Sequence, residues 1–584
     1  MFGHESKPCM VYEYGCLTPI DGEEEMFAET KRRNDFWNKL VEIEKNYRER
    51  VKEILTVPDN PVLALRDERT RLRAEIKSRR KTERSGQVNI SDLKDRIKEI
   101  NKTLSLFSEE DRRKAKETRK KVIEANRHQL KEIDSERKSA VKQAQHGSGL
   151  YWCNSNDVIA SYDTARKRAM KEGTELKFHR WTGEGKAFVR YQYGLPVQDV
   201  FGNDTRLQID PVNSDAWDHP VRSVRRKAAR TKVRLRVTSE NRNPVWVELP
   251  MVMHRPLPAE SEIRSAAVIR EQVGRKYRYK LVVTVTVNRT KIRHDGDVVG
   301  IDIGWRLIEN YEPEATAVFK SLCKPAGPGL RVAYWNDGEK SGQLVLPPRI
   351  LAAFNKLKDL KSIRDTHFNE VKETLSAWLV NKDIPDWLVE TTKFLASWRS
   401  QGRIVQLTKT WRKNRFNGDE DIVETLEHWL SRENHLYDWE ANLRDQVQRW
   451  RREGYRKFAA QIACKYKRVV MEDFDLRRVS KKPEAEEGTL GSRPQDWQRV
   501  IAAVSELRLA IENACRREGT EFIQVESQQS TTECHKCGHV ERFDAANHLY
   551  HTCSNCGNLH DQDYNASIVL RKRAVKLLAS AMGI

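Results

Sequence analysis

Near the C-terminal end of the chain, two cysteine pairs each run straight into a glycine: Cys534-x-x-Cys537-Gly538 and Cys553-x-x-Cys556-Gly557. Four thiolates at this spacing can surround one zinc ion tetrahedrally, and little else would bring them together. The glycine after each pair lets the backbone turn back and aim its N–H groups at the sulfurs. The pattern predicts a zinc ribbon over 530–560, with one structural Zn²⁺ on Cys534, Cys537, Cys553 and Cys556. A ribbon alone is not a function. What makes it informative is the segment that follows, Asp561-Gln562-Asp563-Tyr564-Asn565-Ala566-Ser567.

Two further acids lie in apolar, strand-like settings. Val298-Val299-Gly300-Ile301-Asp302-Ile303-Gly304 reads as a buried strand with one carboxylate, flanked on its own face by glycines that leave room for a metal and a phosphate. Arg468-Val469-Val470-Met471-Glu472-Asp473-Phe474 reads as a second strand, with Val470, Glu472 and Phe474 on one face. Singly, each acid has a plain structural use: loop pairing for Asp302, solvent for Glu472, a helix cap for Asp563. Together, Asp302, Glu472 and Asp563 can converge on two divalent cations that activate water and stabilise the leaving oxygen in phosphodiester cleavage. Carboxylate oxygens suit Mg²⁺ or Mn²⁺. Spacing alone leaves Asp561 and Asp563 as alternatives.

The rest of the composition points to a polyanionic partner. Over 584 residues, 106 lysines and arginines face 85 acids, for a formal net charge of +21. Between residues 222 and 236 the basic residues Arg222, Arg225, Arg226, Lys227, Arg230, Lys232, Arg234 and Arg236 meet no acid, the look of a phosphate track. Basic and aromatic residues also interleave at His179, Arg180, Trp181, Arg190, Tyr191, Tyr277, Arg278 and Tyr279, a mix that can stack bases and hold phosphates. The six cysteines outside the pairs, Cys9, Cys16, Cys153, Cys323, Cys464 and Cys515, have no regular spacing and read as free thiols of a cytoplasmic protein. The first twenty residues lack a continuous apolar core, so no secretory signal is expected. No stretch reaches membrane-spanning length.

Along the chain, Met10–Tyr14 alternates as a short strand. From Phe27 to about Gln145 the pattern is helical and highly charged, with Leu93, Ile97, Ile100 and Leu104 at three- and four-residue steps and Val122, Ile123, Leu130 and Ile133 more loosely so. Residues 175–288 are β-rich: Lys186–Gln192, Lys232–Val237 and Val245–Val252 around a turn at Glu240–Asn243, and Lys276–Val287 after Val273-Gly274. Short strands with such turns predict a barrel of the oligonucleotide-binding kind. Residues 347–465 are mostly helical, and Trp378, Trp387, Trp398, Trp411, Trp429, Trp439 and Trp450 are expected as packing anchors between helices. Lys481–Pro494 reads as a loop, Trp497–Arg517 as one helix, Glu521–Val525 as a strand and Asn565–Ala581 as the closing helix.

Strand-Asp, strand-Glu, zinc ribbon, then Asp-x-Asn-Ala-Ser is similar to the split RuvC nuclease domain of TnpB transposon proteins and type V CRISPR effectors. Matching motif by motif selects Asp302, Glu472 and, over Asp561, Asp563. The N-terminal half resembles the compact V-M subtype through Gly149-Leu150-Tyr151-Trp152, Ser155-Asn156-Asp157-Val158, Phe178-His179-Arg180-Trp181-Thr182-Gly183-Glu184-Gly185, Pro244-Val245-Trp246-Val247-Glu248-Leu249-Pro250 and Gly304-Trp305-Arg306. The resemblance implies a multidomain α+β chain. A β-barrel wedge domain would span 1–26 and 174–295, around a helical recognition lobe at 27–173. An RNase H-like (RuvC) α/β domain with a helical insertion would span 296–529, followed by the zinc ribbon at 530–560 and the last RuvC motif with the C-terminal helix at 561–584.

The implied partners are a guide CRISPR RNA and target double-stranded DNA, with no membrane and a monomer in the complex. The expected function is RNA-guided DNA targeting in a prokaryotic cytoplasm, with an R-loop beside a short flanking motif. Arg222, Arg225, Arg226, Lys227, Arg230, Lys232, Arg180 and Trp181 are the expected nucleic-acid contacts. Asp302 would bridge two Mg²⁺ or Mn²⁺ ions and Glu472 and Asp563 would complete their shells for DNA cleavage. V-M effectors, by contrast, resemble guided binders that silence without cutting because their nuclease centre has lost acids, yet all three acids are present here. A TnpB-type transposon nuclease is the third alternative.

Overall fold

A computed structural model describes residues 9–57, 60–82, 91–202, 204–213, 217–286, 296–322, 327–380, 382–473, 494–526, 529–544 and 548–581. The expected loop at 481–494, apart from its last residue, and the expected free thiol Cys323 lie outside them. The chain opens with strand β1 (Cys9–Cys16) and leaves at once into helices. These are α1 (Glu23–Leu55), α2 (Pro61–Thr82), α3 (Ser91–Leu106), α4 (Glu109–Ala125), α5 (Arg127–His146) and α6 (Trp152–Glu172). The apolar content is as thin as the charge pattern predicts. One cluster joins Phe36, Leu40 and Val41 to Val158 and Tyr162, and a smaller one joins Val62, Leu63 and Ala115. Ile100 is buried and Leu104 packs on the smaller cluster, as their spacing requires, whereas Ile123 is exposed.

Buried carboxylates do much of the joining between α1 and α6. Glu44 accepts from the Tyr162 hydroxyl at 2.9 Å and from Arg166 and Arg48 at 2.8 Å each. Glu29 accepts from the Tyr151 N–H at 2.9 Å and Asn154 Nδ2 at 2.8 Å. Both acids are buried, so losing a partner would leave a charge without compensation, which ties the helix register to these pairs.

The chain then returns to the first sheet through β2 (Gly185–Pro196), β3 (Leu207–Ile209), a short helix α7 (Arg222–Ala228), β4 (Arg230–Glu240), β5 (Asn243–Val252), β6 (Glu262–Val273) and β7 (Lys276–Thr286). The antiparallel order is β2-β6-β7-β1-β5-β4-β3. The expected turn between β4 and β5 is present, with Asn241 and Arg242 at φ 48° and 69°, the left-handed pair of a tight hairpin. The expected barrel is not closed by hydrogen bonds: among the described residues β2 and β3 are sheet edges. β3 stops after three residues, ahead of Pro211, which has no N–H to extend a ladder. The edges instead share one core, with Ala187 and Val189 of β2 and Leu207 and Ile209 of β3 in the same apolar cluster. The Arg206 guanidinium donates to the Arg190 carbonyl at 2.6 Å across the gap.

The second sheet has the order β10-β9-β8-β11-β12, from β8 (Gly296–Ile308), β9 (Gly329–Asn336), β10 (Ser341–Leu346), β11 (Tyr466–Glu472) and β12 (Glu521–Val525). β8, β11 and β12 run parallel, and β9 and β10 are antiparallel to their neighbours. Between β10 and β11 come α8 (Pro348–Leu379), α9 (Asp386–Thr392), α10 (Gln401–Trp411) and α11 (Glu420–Lys465). Trp398, Trp411 and Trp429 are buried in one cluster, with Trp378 and Trp387 packed on it, so these five are packing anchors. Trp450 packs partly buried on the core of the second sheet, and Trp439 is 42% exposed under Lys356.

The helix expected over Trp497–Arg517 is two, α12 (Pro494–Ala502) and α13 (Val504–Glu518). Ala503 between them has φ 40° and ψ 54°. The carbonyls released by the break are taken up by α11: Arg451 donates to Val500 and Ile501 at 3.1 and 2.6 Å, and the Tyr455 hydroxyl to Ala502. No local residue pattern marks this break, because its partners lie some fifty positions away. The chain closes with β13 (Tyr550–Thr552), β14 (Leu559–Asp561) and α14 (Gln562–Ala581), whose Ser567 and Arg571 lie against Gly300 of β8. Among the described residues no helix is long and apolar enough to cross a membrane.

Candidate acid cluster and cysteine site

The four cysteines converge as their spacing predicts. Their sulfurs all lie within 4.8 Å of one another, with Cys534 and Cys556 at 3.8 Å and Cys537 and Cys553 at 3.6 Å. Two matching turns produce this. Cys534 N–H donates to His539 O and Gly538 N–H to Cys534 O, both at 2.8 Å; Cys553 N–H donates to Asn558 O at 3.0 Å and Gly557 N–H to Cys553 O at 2.9 Å. Gly538 and Gly557 stand at φ 75° and 68°, the left-handed conformation each turn needs. The His539 N–H and the Asn555 side chain beside Cys537 pull its thiol down to about 6, whereas burial and the neighbouring thiols push Cys553 and Cys556 up, so it is the geometry of the four sulfurs that points to a metal. The donor set fits zinc: four sulfurs in reach of one centre. Cys16, Cys153, Cys464 and Cys515 are free thiols, as expected.

The three acids reach one place from three elements. Asp302 lies on β8 one residue past Ile301, and Glu472 on β11 one residue past Met471, its partner in the parallel ladder. Asp563 lies in the first turn of α14. Burial first, then the charges of Glu472 and Asp563, push the Asp302 carboxyl well above the usual range. Burial lifts Glu472 to about 7 against the opposing pull of Arg508. Burial also raises Asp563, against Arg331. Gly300 serves a different purpose from the one its position suggests. A Cβ there would stand 2.3 Å from the Ser567 carbonyl oxygen, so it admits α14 and not a metal. At Gly304 the corresponding space is open.

Asp561 and Asp563 take different roles. Asp561 ends β14, and its Oδ1 accepts from the N–H of Asp563 at 2.9 Å and of Tyr564 at 3.4 Å, capping the helix. Asn565, one turn in, accepts from the His535 N–H and donates to Glu533 O, both at 2.8 Å, which locks α14 to the first cysteine turn.

A residue outside the sequence reading changes the chemistry of this cluster. Arg331 of β9 is 3% exposed, and its guanidinium reaches both aspartates: Nη1 to Asp561 Oδ2 at 2.8 Å, Nη2 to Asp561 Oδ1 at 3.2 Å and Nη2 to Asp563 Oδ2 at 2.6 Å. Arg306, paired with it across β8 and β9, stands 4.0 Å from Asp563. A lone arginine between Leu330 and Val332 in an apolar strand was the available signal, because a buried cation implies a buried acid. A pair of divalent ions needs free carboxylate oxygens at about 2.0–2.1 Å for Mg²⁺. Here an oxygen of Asp563 already carries a guanidinium, so the donor set as arranged does not fit two metals. Among the described residues, the acids also fall outside the grouping of close metal-ligand atoms that the cysteines form.

The basic run begins on α7, where Arg222, Arg225, Arg226 and Lys227 are exposed, and continues with exposed Arg230 and Arg234 on β4. Lys232 is paired with Glu248 at 3.0 Å and Arg236 is turned onto Ser239. Arg180 is exposed, while the Trp181 ring meets Phe27 edge-on at 5.3 Å.

Residues 505–570 match the family model of the Cas12f1-like TNB domain. The chain is 45% identical over 96% of its length, and 92% of the relative's, to the CRISPR-associated DNA-binding protein Cas12m of Thermanaerosceptrum fracticalcis. It is 32% identical to the protein of the same description from Allomeiothermus silvanus, over 99% of both chains. Among solved structures it is similar to the protein in a cryo-EM complex of Cas12f1 with sgRNA and target DNA, at 13% identity and a TM-score of 0.38, over 97% of this chain and 99% of that one. On these identities the chain belongs to the Cas12m family of compact type V CRISPR effectors.

Proposed function

We propose that this protein is a guide-RNA-directed DNA-binding effector that opens target DNA into an R-loop beside a short flanking motif and holds it without cutting. Guide pairing supplies most of the sequence choice, and the protein reads backbone and flank. The observation that carries the reading is the 45% identity over 96% of the chain to a relative described as a DNA-binding protein. Arg331 across Asp561 and Asp563 supports holding over cutting. In this reading the curled first sheet acts as the wedge domain, 27–173 as the recognition lobe and 296–529 with 561–584 as the RuvC-like unit. The four cysteines hold one structural zinc, which stiffens the ribbon against α14. The protein acts as a monomer in the bacterial cytoplasm. Exposed Arg222, Arg225, Arg226, Lys227 and Arg230, with Lys232 and Arg180, track phosphates, and Trp181 offers a ring for nucleic-acid contact beside Phe27.

A second reading is metal-dependent DNA cleavage by Asp302, Glu472 and Asp563. It is favoured by three acids on three adjoining elements, and it requires Arg331 to withdraw.

The test combines binding and cleavage. Purified protein should carry a discrete guide-sized RNA and bind a matching target, leaving both strands whole in Mg²⁺ and in Mn²⁺. Exchanging Arg225, Arg226 and Arg230 together for glutamine should lower the salt slope of binding by about 2–3. An unchanged slope would make the run a solvated face, and cut strands across a set of flanking sequences would put the second reading first.

A further inference from the structure

We propose that Arg331 is a built-in counter-ion that keeps divalent metal out of the acid cluster. The argument is geometric. The guanidinium is delivered by a strand with neighbours on both sides, since β9 lies between β8 and β10 and pairs with Arg306 on one and Val345 on the other. Its backbone therefore has no loop freedom with which to retreat. Its planar fork meets both oxygens of Asp561 and continues onto Asp563, a bidentate arrangement that a lysine could not reproduce. The ring of Tyr334 lies 5.4 Å away on the same side, and the arginine is almost wholly out of solvent.

The same contact explains why Asp561 and Asp563 both remain. Asp561 holds the arginine and caps α14, and Asp563 shares the charge. The presence of all three RuvC-type acids is then compatible with a centre that takes no metal, because the fourth participant comes from a strand on which the acid motif places no constraint. The inference deepens the binding-only reading and rests on it for its biological sense, but its test does not depend on guided DNA binding.

Manganese is titrated into the free, zinc-loaded protein and followed by electron paramagnetic resonance of unbound Mn²⁺. Wild type and Asp302→Asn should take up Mn²⁺ equally weakly. Arg331→Gln should gain a site at least tenfold tighter than any in wild type, and adding Asp302→Asn to it should remove that site. A wild-type site that Asp302→Asn abolishes overturns the proposal, even if Arg331→Gln fails to fold. So does an Arg331→Gln protein with normal zinc content and unfolding temperature that gains no Mn²⁺. Loss of guided binding in a separate assay would sink the functional reading and leave the counter-ion intact.

Discussion

The cysteine site and the acid cluster adjoin at α14, and the same stretch of chain supplies residues to both, yet the two are built differently. The cysteine site is built from two local turns, and its four sulfurs all lie within 4.8 Å of one another. The acid cluster gathers residues from 302, 472, 561 and 563, and with them comes Arg331. A motif closed by its own neighbours can be read for occupancy. A motif assembled across the fold can be read only for location, because each added element brings its own side chains.

The largest expected effect sharpens the first half of that comparison. A Cys537→Ser, Cys556→Ser variant should drop zinc to well below one per chain by metal analysis and open the C-terminal segment to protease. Metal-coupled folding of such sites is worth about 10–16 kcal/mol. Full zinc occupancy in the double variant would mean that the four sulfurs do not act together.

The next effect tests the second half. Asp561→Asn keeps an acceptor for the helix N–H groups but removes the bidentate partner of a buried arginine. It should cost about 2 kcal/mol, read as a lowered unfolding temperature. A change within error would show that Arg331 is satisfied by Asp563 alone, and the contrast between the two sites would narrow to one ion pair.

The smallest effect asks whether long-range pairing is a general habit of this chain. Asp157 of α6 accepts from Arg33 of α1 and from Lys186 of β2 at 2.8 Å, joining helices to sheet. Burial alone would raise its carboxyl, but Arg33 and Lys186 outweigh that and hold it below the usual range. The stability it adds is therefore present above the unfolded carboxyl's value and lost as pH falls through the lower folded one. Asp157→Asn should cost about 1 kcal/mol at pH 7, and the gap from wild type should close in acid below that range. A gap that persists unchanged at low pH would locate the effect in packing and not in charge.

The sequence made local devices legible. The glycine-ended cysteine turns and the Asn241-Arg242 hairpin depend on neighbours within a few positions, and the strand ending at Glu472 and the tryptophans of α8, α9 and α10 announce themselves by apolar pattern and residue type although their partners are distant. Less was legible where a partner is remote. Gly300 looked like room for a metal but makes room for Ser567 and Arg571, more than 260 positions on. The helix breaks at Ala503 where Arg451 and Tyr455 donate to the carbonyls of Val500, Ile501 and Ala502 just before it. The barrel pattern was sound in its strands, but Pro211 and the short β3 left the ladder open.

By itself, then, the sequence determined where the paired cysteines and the acids occur and which strands and helices carry them, since periodicity and turn chemistry act over short spans. Whether the acids face a metal or an arginine was decided by tertiary structure alone. The pairing of β9 with β8 brings position 331 beside 561 and 563, and a buried charge is settled by whichever opposite charge the fold sets within hydrogen-bonding distance.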